Sequence, residues 1–180
     1  EIDNSLLYNS FCDRESGKIV LTNKADGSEI SMDLNSGWCS TDKFGESVSA
    51  HRDIYLKHPD FKNIIHNTSS EVVAVSRLGK TMKPLLDDFA QICGTKIKIA
   101  SYEKCAKAIK GKNAVLIKNQ GALCCGSNEG DAQAVDMIMS KSALALLSSK
   151  VFGKAKAINP IEAKLMRVVY LLKYSKKAEQ

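Results

Sequence analysis

Histidine, tryptophan and proline are scarce in this sequence of 180 residues, which has three, one and three of them. With only His51, His58 and His66 available, a metal centre has no spare imidazole to draw on. The six cysteines, Cys12, Cys39, Cys93, Cys105, Cys124 and Cys125, show neither CxxC nor zinc-ribbon spacing. The adjacent Cys124-Cys125 pair lies in an apolar run and reads as strand packing. A disulfide framework is not expected in a chain with this much core, so the reading is reduced, mostly buried thiols in a cytoplasmic protein. No apolar run approaches the roughly 20 residues that a membrane-spanning helix needs, so no membrane partner is expected. The opening Glu1-Ile2-Asp3-Asn4 is acidic and polar, unlike the basic start of a secretory signal, and the absence of an initiating Met fits a trimmed form. Repeats and low-complexity segments are lacking as well.

What is present is the composition of a globular protein. Hydrophobic residues at 44% and charged residues at 26% place the chain in that class, and its length suffices for one domain over 1–180. The net charge of +6 is concentrated late, in Lys150, Lys154, Lys156, Lys164, Arg167, Lys173, Lys176 and Lys177 against the single acid Glu162. Such a run is either a footprint for a polyanion or a solvated helix face with a basic tail. The solvated face is the preferred reading, so nucleic acid is not the expected partner.

Strand and helix patterns intermix. Residues 17–22 and 29–34 read as strands around an Asp26-Gly27 hairpin signal. A helix over 46–57 should stop at His58-Pro59, because proline disfavours helical conformation in the residue before it. A buried strand over 61–66 follows. Thr68, Ser69 and Ser70 are candidate caps for a helix that Gly79 closes, and a third helix follows Pro84 and ends at Gly94. A strand over 96–100, a helix over 103–110 and strands over 114–117 and 122–125 come next, the last two broken at Asn119-Gln120-Gly121. Two helices end the chain, over 129–152 and about 159–177. The second has Pro160 in its first turn and a stripe of Ile161, Leu165, Val168 or Val169, and Leu172.

The block from His51 through Tyr55, His58-Pro59-Asp60 and Ile64-Ile65-His66-Asn67-Thr68 resembles the class II aldolase/adducin head family, of the L-fuculose-phosphate aldolase type. The likeness continues through Ala74-Val75-Ser76, the helix after Pro84, and residues 113–121, and covers about residues 17–152. It implies a three-layer αβα fold with a central mixed or antiparallel sheet flanked by helices. It also implies a metal-dependent lyase, in which a zinc-type ion polarises the carbonyl of a sugar phosphate and a carboxylate moves protons. A homo-oligomer, a tetramer in the family's manner, is the implied assembly.

At the functional positions the sequence departs from the family. The family's His-x-His pair falls on His66 and Thr68, and its third histidine falls on Gln120. A hydroxyl and a neutral amide are weak donors for a divalent transition metal. The catalytic carboxylate falls on Ser47; Glu46 is adjacent, but neighbouring helical residues point about 100° apart. His51 is read as packing or lining the cleft, Asn119 as a binding candidate, and His58 as a surface or capping residue. Asn9-Ser10 is a candidate remnant of the family's phosphate-holding turn, since only about sixteen residues precede the strand at Lys18. The expectation is a family domain without the aldolase activity and without a cofactor, serving as a binding or assembly module. The alternative is an active lyase with a rewired site that binds a divalent metal such as zinc and a small sugar phosphate.

Overall fold

The computed structural model describes residues 6–42, 45–153 and 155–175. Seven strands form one sheet: β1 (Tyr8–Asp13), β2 (Lys18–Asn23), β3 (Glu29–Asp33), β4 (Asn63–Asn67), β5 (Ile99–Ala100), β6 (Ala114–Ile117) and β7 (Gly121–Gly126). The helices are α1 (Glu46–Lys57), α2 (Ser70–Arg77), α3 (Asp87–Ile92), α4 (Tyr102–Ala108), α5 (Glu129–Phe152) and α6 (Pro160–Ser175). The strand order is β3-β2-β1-β4-β7-β6-β5, antiparallel throughout except for the parallel β5–β6 pair. It is a mixed α/β sheet, as expected, and largely antiparallel.

Side chains alternate across the sheet, and the two faces carry separate cores. Cys12, Ile19, Leu21, Ile64, Val115, Leu123 and Cys125 pack under α1 and α4. Leu116, Ala122 and Cys124 pack with α2, α3 and α5 on the other side. Cys124 and Cys125 therefore serve opposite faces, as strand neighbours must. All six cysteines are free, and burial pushes the Cys93 and Cys105 thiols up to about 12. On the second face, β1 to β3 lie beyond those helices; Phe11 is exposed there beside a groove of about 780 Å³ running past Val20 and Ile65 to Asn128.

Several boundaries differ from those the sequence suggested. Residues 8–13 form a strand that their polar composition concealed, so Asn9-Ser10 sits in β1 rather than in a phosphate-holding turn. Pairing of β1 with both β2 and β4 overrides its weak intrinsic pattern. The strand at 96–100 shrinks to Ile99–Ala100, with Ile97 bridging only to Met82. The third helix starts at Asp87, later than Pro84 suggested. Arg14, in the β1–β2 turn, donates to the Tyr55, His58 and Phe61 carbonyls, which closes the C-terminal end of α1. Of the closing helix expected over 159–177, residues 160–175 are helical, and 176–177 lie outside the described residues, as does Lys154.

The expected stripe on α6 is the one that faces solvent: Ile161, Leu165, Val168, Val169 and Leu172 are all exposed. The helix instead docks against α3 through buried Ala163 and through Arg167, which donates to the carbonyls of Gln91 and Ile92 and to Asn113 Oδ1. Arg167 is thereby used internally, and burial lowers its pKa, so it is not part of a free basic face.

Candidate functional site

Four elements bring the candidate residues together on the α1/α4 side of the sheet. In β4, His66 shares the face of Ile64 and points toward α1 and α4, where it is completely buried. From α1 come Ser47 and His51, four residues apart and hence on one helix face, both buried. From α4 comes Tyr102, whose ring meets that of His66 edge-on at 6.1 Å. From the β6–β7 turn comes Gln120.

That turn is set by backbone geometry. Asn119 adopts φ 65°, a left-handed conformation that Asn tolerates, and Gly121 follows at φ 92°. A Cβ on Gly121 would lie 2.0 Å from the Asn67 carbonyl oxygen, so only glycine allows β7 to approach β4 here. The Gly121 N–H donates to Ser76 Oγ at 3.2 Å. The result is a Gln120 carbonyl that receives a hydrogen bond from His66 Nε2 at 2.8 Å. Asn119, read from the sequence as a binding residue, is exposed on the turn and shapes it.

The protonation of both histidines follows from their partners. A carbonyl can only accept, so His66 carries its proton on Nε2, leaving a lone pair on Nδ1. The second case is a chain of three side chains. Tyr55 Oη lies 3.0 Å from the Ser10 carbonyl and 3.3 Å from that of Lys62, and its one proton goes there. Ser10 Oγ, 2.8 Å away, then donates to Tyr55 Oη. With its proton committed, Ser10 Oγ accepts from His51 Nδ1 at 2.7 Å. This assignment gives each side-chain contact in the relay its own proton, and it leaves the lone pair of His51 on Nε2.

Both remaining lone-pair nitrogens, His51 Nε2 and His66 Nδ1, are buried without a protein partner, and so are Ser47 Oγ, Tyr102 Oη and Gln120 Oε1. Three lone-pair acceptors and two hydroxyls are thus left without protein partners on one buried face, the kind of group that ordered water or a small ligand satisfies. Burial, together with the neighbouring His66, brings the His51 pKa down to about 3. Burial also lowers His66 to about 4, with Lys24 adding to the effect and the Gln120 hydrogen bond opposing it. Both imidazoles are therefore neutral at pH 7. Burial raises the Tyr102 hydroxyl, and the Ser47 hydroxyl beside it works in the opposite sense.

The remaining sequence candidates lie elsewhere. Glu46 is exposed, on the outer side of α1, where a cleft of about 290 Å³ is lined by Glu46, Asp53, Tyr102 and Glu103. Thr68 is half-buried just past the end of β4. His58 caps α1 and donates through Nε2 to the Ala106 carbonyl at 2.7 Å, tying α1 to α4. Asn9 accepts the His66 N–H on its side-chain oxygen at 2.9 Å, extending the β1–β4 ladder past its last backbone pair. Tyr102 and Tyr55 were not among the sequence candidates, and Ser10 was one only as part of a turn remnant. Nothing in the spacing of Tyr102 marks it, whereas Tyr55, four residues after His51, was legible as sharing its helix face.

The donor set does not fit a zinc-type ion in the family's manner. Of the three positions where the resemblance places ligands, one is imidazole, His66, which has a single lone pair to offer, on Nδ1. Thr68 and Gln120 offer neutral oxygen, and no group of three or more His, Cys, Asp or Glu side chains among the described residues converges as a metal site.

Comparison with known proteins agrees with this scaffold. The fold is similar to that of an L-fuculose 1-phosphate aldolase, with TM-score 0.81 and 21% identity over 94% of this chain and 88% of that one. It is also similar to YgbL of Klebsiella pneumoniae, described as a putative aldolase, epimerase or decarboxylase, with TM-score 0.75 and 20% identity over 92% and 88% of the two chains. For the L-fuculose-1-phosphate aldolase of Thermus thermophilus the TM-score is 0.66 and the identity 16%, over 87% and 89%. At these identities the likeness is one of fold. No curated protein matches the sequence directly. Residues 12–147 match the class II aldolase and adducin N-terminal domain, and the chain belongs to that family.

Proposed function

We propose that this class II aldolase-family domain acts by binding or assembly, without metal-dependent cleavage of a sugar phosphate and without a resident cofactor. The observation that carries the reading is the donor set: His66, sealed from solvent, is the one imidazole among the three positions, beside the neutral side chains of Thr68 and Gln120. Ser47 stands where the family's carboxylate would move protons, and a hydroxyl cannot replace it as a base at neutral pH. The exposed apolar side chains of α6 support assembly into a homo-oligomer. Among the described residues no helix is long and apolar enough to cross a membrane.

The competing reading, a lyase with a rewired site, draws on a specific observation as well, the five orphaned polar atoms around His51 and His66. Elemental analysis of the purified protein after dialysis, paired with an aldol-cleavage assay on sugar phosphates, separates the two. The binding-module reading expects substoichiometric zinc and manganese and no cleavage. One equivalent of either ion together with turnover that a chelator abolishes would overturn it.

A further inference from the structure

The outward face of α6 has a pattern that specifies its own partner. Ile161, Leu165, Val168 and Leu172 are 81%, 63%, 44% and 59% exposed, and they follow a four-three-four spacing, the seam of a two-helix coiled coil. Val169 and Leu171 flank the seam and are exposed too. The helix cannot simply roll to bury these residues, because the Arg167 hydrogen bonds and buried Ala163 hold its opposite face on α3. The capping contact of Asn159 Oδ1 with the Ile161 N–H, 2.9 Å, and the Ile158 N–H to Pro84 carbonyl bond, also 2.9 Å, fix its start.

The four-three-four spacing reads the same from either end. If two copies of the helix are laid antiparallel about the midpoint between Leu165 and Val168, Leu165 of each meets Val168 of the other, and Ile161 meets Leu172. Charge agrees with that direction. Glu162 lies in the first turn and Lys173 in the last, so the antiparallel arrangement brings each near its opposite in the other copy, and the helix dipoles also oppose. Covering these side chains would remove about 600 Å² per copy, near the low end for a specific interface. We infer that α6 is a homodimer seam, in which a second copy of this chain packs antiparallel across a twofold axis centred between Leu165 and Val168.

This inference deepens the assembly reading and rests on it, and sedimentation velocity tests both across about a hundredfold range of concentration. The wild-type chain should show a reversible dimer or an even-numbered assembly. Leu165→Lys, at an exposed position, should leave the circular dichroism spectrum and melting temperature unchanged and raise the dissociation constant by at least about tenfold. Glu162→Lys should weaken association severalfold, and adding Lys173→Glu should restore it. A wild-type monomer at every concentration would overturn assembly and seam together. An oligomer indifferent to Leu165→Lys would overturn the seam and leave assembly standing. Weakening by Leu165→Lys without rescue by the charge swap would overturn the antiparallel arrangement.

Discussion

The two buried histidines should make this protein acid-sensitive well above the carboxylate range. In the folded chain His51 and His66 titrate at about 3 and about 4, whereas an unfolded histidine titrates near 6.5. Between about pH 4 and 6.5 the unfolded state therefore binds two more protons than the folded state, and stability falls as pH falls. The slope is about 1.4 kcal/mol per pH unit for each histidine. From pH 8 to pH 5 the loss is about 4 kcal/mol for the pair, a large share of the roughly 5–15 kcal/mol that a domain has. The carboxylates whose pKa the fold lowers, Asp13, Asp26, Asp33 and Glu71, lose their contributions only at lower pH. Asp136, raised by burial, works in the opposite sense, since protonating it favours the folded state. Urea unfolding from pH 5 to 8 in the presence of a chelator measures the slope. His51→Asn keeps a donor where Nδ1–H meets Ser10, and His66→Gln keeps one where Nε2–H meets the Gln120 carbonyl. Each should remove about half of the pH dependence. A wild-type stability flat across this range, or a slope unchanged in both variants, would refute the buried neutral pair.

Two further outcomes concern the turn and the lost ligands. Gly121→Ala puts a Cβ against the Asn67 carbonyl at a positive φ, and should cost about 3 kcal/mol or more by thermal or urea unfolding, with Asn67→Ala unable to relieve it because the clash is with backbone. Thr68→His combined with Gln120→His should create binding of one zinc ion per chain by isothermal titration, where the wild type binds none stoichiometrically. Absence of binding in the folded double variant would mean that the turn no longer holds the geometry the ligands need.

The scaffold was legible in the sequence wherever burial imposed a period or a turn imposed a residue type. Apolar Ala114–Ile117, the Asp26-Gly27 hairpin and the Pro59 and Gly79 stops all fall where the fold has them. β1 was not legible, because Tyr8–Asp13 gains its strand character from neighbours on both sides rather than from its own composition. The exposed stripe of α6 was visible as a stripe, but periodicity shows that a face is apolar and not what covers it. At the site, ligand positions were readable as residue types. The hydrogen bond of His66 to a backbone carbonyl, the relay from His51 to Tyr55 and the place of Tyr102 depend on contacts between residues 36 to 54 positions apart, which a linear reading does not bring together.

Residue 47 ties these strands together, because the replaced positions constrain one another. A carboxylate on this buried face would gain no positive charge from the imidazoles: His51 and His66 resist protonation, and Lys24, whose charge His66 feels, already has Asp136 as a counter-charge. An uncompensated buried charge costs several kcal/mol or drives its own protonation. Once imidazole ligands are absent from positions 68 and 120, serine at 47 is therefore the compatible residue, and glutamate is not. Ser47→Glu should cost about 3 kcal/mol at pH 7 and less at pH 5, where the acid can be neutral, as read by urea unfolding at the two values. The same substitution in the Thr68→His/Gln120→His background should cost much less once zinc is added, because the ion supplies the missing positive charge. If Ser47→Glu proves neutral in the wild-type chain, position 47 is open to water and its sealed description is wrong.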